Sequence, residues 1–400
     1  MNSTERILSM IDRTGVQPGR VRPDRIPILI MANWDYFCVA AGLNEPDRSL
    51  WRYFDADLHT DLVTVAFKRH PLNDLVFGGP TTIDPNYPYR WRKGESEWLV
   101  EDPKGNHFRV ETDADTPAIR KGGKRIPIDG ARPKPTDAIR IDSLDQVKRM
   151  LARPSGRELR DEGTYYVASR SKKQLGDDAF VIVDSLGVFV EFIRYLGGSK
   201  SLDGGGFETA MTALYDDERL ASAVMERVIE RQLEQVDCAA ASGVDGILIS
   251  SYWEGMDIIS PSLWRKFSKP GVQALAERAH RRGMKAFSWF LGDCIPVLED
   301  LIETGIDVLM LEQERRGYTS DPVVIRQHVG DRLCITGWSD ELAVVADRRD
   351  ILTRNVAHQI VAAETGPYMA STSYLGADAS VEAVEFYCRE VLRQGQQLTL

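Results

Sequence analysis

Two hydrophobic rhythms alternate along the C-terminal half of the chain. Between Asp216 and Ala241, Leu220, Val224 and Val228 recur at four-residue steps beside Met225 and Ile229. That is the period of an amphipathic helix, and Gly243 follows it as a stop signal. Gly246 to Ser250 reads GILIS, apolar enough for a strand covered on both faces. The pair of patterns then repeats. Val272, Leu275, Ala276 and Ala279 share one helical face within residues 262–282, and residues 285–289 read as the next strand. Residues 294–303, 321–328 and 347–364 read as helices, and 307–311, 333–336 and 368–371 as strands. A last helix starts at the N-cap Ser380 and buries Val381, Val384, Cys388 and Val391. Upstream, residues 26–31, a weak run at 75–77, and residues 180–185 bring the strands to eight.

Eight strands with interposed helices predict an α/β fold, a distorted (β/α)8 TIM barrel, spanning residues 1–400 as one domain. A doubly wound open sheet is the alternative, but the glycine-rich first turn that usually marks it is missing. Residues 79–135 break the rhythm with Pro, Gly and charge. Within them, residues 97–100 and 107–112 flank Asp102-Pro103-Lys104-Gly105-Asn106 and read as a β-hairpin. This insertion is either a lid over the strand ends or a surface elaboration.

Charge and cysteine usage narrow the function classes. Fifty Lys and Arg face 60 Asp and Glu, a net charge of −10. With no long basic block, this argues against nucleic acid as a partner. No apolar run reaches the length of a membrane span, and residues 1–20 show no signal-peptide pattern. The five cysteines, Cys38, Cys238, Cys294, Cys334 and Cys388, are scattered without a CxxC pair. The expectation is a cytoplasmic protein without a disulfide framework. Arg120 to Arg125 is a short basic cluster, read as solvated surface, and Gly204-Gly205-Gly206 reads as a flexible loop.

Two stretches carry a resemblance. Residues 240–261 read AASGVDGILISSYWEGMDIISP, and residues 282–312 read RGMKAFSWFLGDCIPVLEDLIETGIDVLMLE. Together they resemble the uroporphyrinogen decarboxylase-like superfamily, which includes decarboxylases and corrinoid-linked methyltransferases. The resemblance implies a barrel, commonly a homodimer, with its site at the strand C-termini. Departures from the family pattern are informative. The decarboxylases hold porphyrinogen carboxylates with arginines after strand one. Here that stretch is Met31-Ala32-Asn33-Trp34-Asp35-Tyr36. The zinc thiol methyltransferases carry His-x-Cys before the Gly-Asp turn, where this chain has Trp289-Phe290-Leu291 before Gly292-Asp293. Their late cysteine is also absent from residues 371–374. A family-type zinc site is therefore not expected.

Reading off the strand ends gives aromatics and carboxylates. Trp34, Asp35, Tyr36, Tyr252, Trp253, Trp289, Trp338 and Tyr374 are the candidate substrate-binding residues. Ring faces with nearby negative charge attract methylated ammonium groups, and equally stack an aryl methyl ether. Packing in the barrel top is the plain alternative for any one tryptophan. Glu312 is the first catalytic candidate, as a general acid or base, cation holder or metal ligand; a salt bridge to Arg315 or Arg316 is its alternative. Asp293 is the second, or simply a cap for the helix at Cys294. Cys294, at a helix start, is a weak metal-ligand candidate beside Glu312, with a buried helix cysteine the simpler reading. His59, His280, His328 and His358 fall in helical or flanking stretches and read as structural.

The leading expectation is a methyltransferase. It would move a methyl group from a small methylated amine or aryl ether to a corrinoid, carried by a partner protein, or to tetrahydrofolate. A divergent decarboxylase or lyase acting on a small carboxylated substrate is the alternative. It would need Arg90, Arg92 or Arg194 at the site. A non-catalytic ligand-binding barrel is the third reading.

Overall fold

The computed structural model of the protein describes residues 1–12, 23–31, 54, 56–61, 90–93, 97–101, 107–111, 118–121, 124–127, 141–150, 156, 159, 165–197, 206–313, 317–372, 375 and 380–396. The strands in chain order are β1 (Ile28–Ile30), β2 (Leu58–Asp61), β3 (Arg90–Lys93), β4 (Glu97–Glu101), β5 (His107–Glu111), β6 (Ala118–Lys121), β7 (Lys124–Pro127), β8 (Phe180–Leu186), β9 (Gly246–Ser251), β10 (Lys285–Phe290), β11 (Val308–Leu311), β12 (Cys334–Gly337) and β13 (Tyr368–Ser371). The helices are α1 (Ser3–Ile11), α2 (Leu144–Met150), α3 (Tyr166–Leu175), α4 (Val188–Gly197), α5 (Gly206–Asp216), α6 (Glu218–Ala241), α7 (Lys269–Arg281), α8 (Leu298–Glu303), α9 (Pro322–Val329), α10 (Glu341–Val345), α11 (Arg349–Glu364) and α12 (Val381–Gly395).

Eight strands close into a barrel in the order β1-β13-β12-β11-β10-β9-β8-β2. Every neighbouring pair is parallel. The (β/α)8 expectation holds, with one strand moved. The second strand is β2 at residues 58–61; the weak run at 75–77 lies outside the described residues. Apolarity missed β2 because it reads LHTD. His59 therefore lies on a barrel strand, not in a helical or flanking stretch. Smaller revisions follow the same logic. The helix expected over residues 262–282 is broken by a π-helical stretch at Trp264–Ser268, and the one over 347–364 is α11, preceded by the short α10. Gly206 opens α5 and so belongs to a helix.

The expected hairpin exists, as β4 and β5 paired from Glu97↔Glu111 to Glu101↔His107. It is the middle of a five-stranded antiparallel sheet, β3-β4-β5-β6-β7. The basic cluster is its last hairpin, with Arg120 opposite Arg125 and Lys121 opposite Lys124.

Strand alternation sorts the core into two clusters. Val181, Val183, Ile247, Ile249, Leu309 and Ile335 face the helices. Leu29, Phe180, Ile182, Leu248, Phe287, Val308, Cys334 and Met369 fill the barrel. Ile7, Met10 and Ile11 of α1 join this inner cluster. Helix α1 is started by a capping box between Asn2 and Glu5. It contacts the 3-10 turn before β8, so it plugs the N-terminal end of the barrel.

The plug is tied down by charge. Asp57, directly before β2, is fully buried. It accepts the Ile28 backbone N–H at 2.9 Å, the Ser3 hydroxyl at 3.0 Å and the Arg25 guanidinium at 2.8 Å, and it pairs with Arg6. Arg6 also reaches Asp24 at 2.6 Å. The same device recurs twice. Asp245, before β9, accepts the Val181 N–H at 2.8 Å and Lys172 at 2.8 Å. Asp307, before β11, accepts the Ala286 N–H at 2.8 Å and His280 at 2.7 Å. Each carboxylate thus holds the start of the neighbouring strand. The sequence around two of them is Gly-x-Asp, Gly243-Val244-Asp245 and Gly305-Ile306-Asp307. Both glycines end a helix at positive φ, +80° and +77°, where other residues are strained. Among the described residues no helix is long and apolar enough to cross a membrane.

Asp57→Ala strands two arginines in or near the barrel floor. It is expected to cost roughly 3–5 kcal/mol, the range for breaking a buried pair. Asp350→Ala, at an exposed pair with Arg348, is expected to stay within about 0.5 kcal/mol. Urea unfolding of both variants checks this.

Candidate functional site

The C-terminal ends of the strands are where a parallel barrel builds its site. Two glycines let neighbouring strand ends approach there. A Cβ on Gly187, just after β8, would sit 2.1 Å from the Ser250 carbonyl oxygen. One on Gly337, at φ +98°, would sit 2.3 Å from the Leu311 carbonyl oxygen. That carbonyl accepts the Trp338 N–H at 3.1 Å instead.

Over the ends of β1 and β10 to β13 lies a cavity of about 170 Å³. Met31, Leu291, Met310 and Leu311 supply apolar wall, Trp289 a ring, and Glu312, Glu341, Gln313 and Thr372 polar groups. Its floor is a row set by register, because Trp289 pairs with Met310 and Met310 with Thr336. Tyr252 stands edge-on to Trp289, with ring centroids 5.3 Å apart. Glu312 follows β11 and accepts the Tyr318 hydroxyl at 2.6 Å. The Ser320 hydroxyl fixes the Glu312 backbone carbonyl at 2.5 Å.

Of the residues singled out in the sequence, the cavity gathers Glu312 and Trp289, with Tyr252 behind Trp289. Trp253 is directed elsewhere, at φ +64°, with its ring 5.8 Å from Phe207. Trp338, at φ +72°, lies 4.9 Å from His358, whose ring is held by Asp321 at 2.6 Å. Asp293 accepts the Ile295 N–H at 3.1 Å, and its own N–H goes to Asp257 at 3.0 Å. Its side chain therefore caps the turn after Cys294. Cys294 is buried, and burial, then Asp293, pushes its thiol up to about 12. That opposes the thiolate a helix start favours. Among the described residues no three His, Cys, Asp or Glu side chains come together as a metal site. Arg194 sits on α4 beside Glu191, and Arg90 and Arg92 lie on β3. Trp34, Asp35, Tyr36, Tyr374, Arg315 and Arg316 lie outside the described residues.

Two acids gain a role that the strand ends alone did not give. Asp184, on β8, accepts the Ser250 hydroxyl. Burial raises it to about 7 against that bond. Its place in the strand alternates with Ile182, so it continues the inner face. Glu254 is fully buried and is also raised to about 7, by burial. Ser268, Ser251 and Trp264 work the other way. Neither Glu254 oxygen completes a hydrogen bond, nor do Ser251 Oγ, Ser268 Oγ and Trp264 Nε1. The π-helical stretch brings Trp264 and Ser268 to this carboxyl. Sequence reasoning passed over Tyr318 and Glu341 because both stand several residues beyond their strands.

Residues 125–389 match the uroporphyrinogen decarboxylase (URO-D) family. The chain belongs to this family. The match covers well over half of the URO-D chain and takes in six of the eight barrel strands, β8 to β13. Curated protein sequences give no match. Among solved structures, a methyltransferase from Methanosarcina mazei is similar at 13% identity and TM-score 0.63. The alignment covers 98% of this chain and 99% of that one. That likeness establishes the fold. A B12-independent methionine synthase from a Shewanella species aligns at 8% identity and TM-score 0.42, over 86% of this chain and 83% of that one. A 3-keto-L-gulonate-6-phosphate decarboxylase from Vibrio cholerae aligns at 12% identity and TM-score 0.30, over 60% and 83%.

Two outcomes follow from the buried groups. Folded Glu254 keeps its proton to about 7, whereas the unfolded chain releases it near 4.3. Its contribution to stability is therefore full at low pH and lost as pH rises through that window. Relative to wild type, Glu254→Gln should gain stability between pH 5 and 8, by a few kcal/mol at most. Thermal melts across pH check this. Cys294 should resist iodoacetamide at pH 8 in the folded protein and react after unfolding, which peptide mass mapping reads.

Proposed function

We propose that the protein is a methyltransferase of the URO-D family. It takes a methyl group from a small methylated amine or aryl ether and delivers it to a corrinoid, presented by a partner protein, or to a folate. The observation that carries this reading is the cavity over β10 to β13: apolar walls, an aromatic ring and Glu312 in one small space, with Glu312 bonded in turn to Tyr318. The full-length likeness to a methyltransferase barrel supports it.

Size and charge both bear on the substrate. An engineered cavity of about 150 Å³ holds a benzene molecule. A space of about 170 Å³ suits a methyl donor of similar size and not a tetrapyrrole. Among the described residues that line it, none is basic. That disfavours a substrate held by its carboxylates, as decarboxylation of a polyacid requires. A corrinoid or pterin ring is likewise too large for the cavity, so the carrier would meet the methyl group from the mouth. When bound, the carrier supplies the methyl acceptor.

The chain's own residues prepare the donor. Met31, Met310 and Leu311 exclude water around the methyl group. Trp289, set edge-on to Tyr252, would orient the donor. Amine and alkoxide leaving groups depart poorly unless protonated, and Glu312, bonded to the Tyr318 hydroxyl, would hold or supply that proton.

The protein mixed with a reduced corrinoid protein, or with tetrahydrofolate, and a panel of methylamines and aryl methyl ethers should methylate one carrier. Glu312→Gln should lower kcat by about 10²-fold or more, in the range for a lost general acid. Absence of a methylated carrier with every donor would overturn the reading. Absorbance spectra of the corrinoid and mass analysis of the folate are the readouts.

A further inference from the structure

We infer that the cavity takes a methyl donor built on one aromatic ring, a monocyclic aryl methyl ether, in preference to a methylammonium ion. This inference rests on the reading of the cavity as the donor site. Three observations carry it.

The first is size. The cavity holds about 170 Å³, and an apolar cavity of about 150 Å³ binds benzene. One ring therefore fits, with its methoxy group toward the mouth where the carrier arrives, and a fused second ring does not. The second is the surface that a ring would meet. Trp289 and Met310 are paired in register, and both pack, with Met31, in the cluster that fills the barrel. All three border the cavity. Aromatic rings pack favourably against an indole, and thioether sulfur makes favourable contacts with them. Leu291 and Leu311 extend the apolar wall. Thr372 also borders the space, but its hydroxyl oxygen is buried and adds no polar group there.

The third observation is charge. The Glu312 carboxylate is already engaged by the Tyr318 hydroxyl at 2.6 Å, and Glu341 has interactions of its own within the chain. A methylammonium would leave water for this space with no carboxylate reserved for it, at the cost that a buried charge carries. An anionic donor would meet no Lys, Arg or His among the described residues of the lining. An aryl methyl ether brings no charge in. Its methyl carbon passes to the nucleophilic carrier, the C–O electron pair stays on oxygen, and a proton on that oxygen completes a phenol.

Calorimetry and saturation-transfer NMR on the full chain, without any carrier, test this directly. The probes are anisole, methoxycyclohexane, 2-methoxynaphthalene and trimethylammonium chloride. Saturable anisole binding is expected, about tenfold or more tighter than trimethylammonium. Methoxycyclohexane, of similar size but without a ring current, should bind several-fold more weakly than anisole. The wild-type protein should not bind 2-methoxynaphthalene, whereas Met310→Ala should admit it. Trp289→Leu should weaken anisole about tenfold. Circular dichroism melts verify that each variant is folded. Trimethylammonium binding as tight as anisole, methoxycyclohexane binding as tight as anisole, wild-type binding of 2-methoxynaphthalene, or absence of anisole binding overturns the inference and leaves methyl transfer standing. Anisole binding without methylation of any carrier overturns the functional reading and leaves the ligand class standing. The wild-type panel decides the matter even if no variant folds.

Discussion

The structure depends on carboxylates that pin strand starts. A parallel barrel has no hairpins to set strand register, so each strand must be placed by something outside its own ladder. Here Asp57, Asp245 and Asp307 do this by accepting the first backbone N–H groups of the adjacent strand. Each stands immediately before its own strand, so one side chain aligns two strands at once. Basic partners hold the three carboxylates: Arg6 and Arg25, Lys172, and His280 with Lys285. With the floor fixed, the opposite ends carry buried acids such as Glu254 and Asp184 that take no part in pinning strand starts.

This division explains what could be read from the sequence. The Gly-x-Asp signatures that carried the family resemblance are floor elements: glycine ends a helix, and aspartate aligns the next strand. They report the fold and are silent about chemistry. Six strand positions, from β8 to β13, were legible because they are buried on both faces and flanked by strong helical periods. Strand β2 was not, because LHTD has no apolar rhythm. Its place is set by Asp57, whose pairing with Ile28 spans the chain in a way that no local window detects.

The mouth was legible in kind and less so in detail. Carboxylates and rings at strand ends were expected, and Glu312 and Trp289 do share a cavity. What the sequence could not resolve was direction. Trp289 lies within β10, whereas Trp253 and Trp338 come after their strands at positive φ, and neither lines the cavity. Strand alternation sends Asp184 to the inner face beside Ser250, and Ser251, one residue on, to the helix side with Glu254. Acids that read alike along the chain therefore meet different environments.

The pairing of β1 with β13 joins Ile28 to Ala370. A ribosome releases the first of these long before it makes the second. Strand β1, paired with β2 on one side, must keep its other edge open while the rest of the chain emerges. Exposed strand edges invite pairing with other chains. The nascent protein should therefore depend on chaperone shelter until its last quarter is made, and closure of the barrel is a late, long-range step.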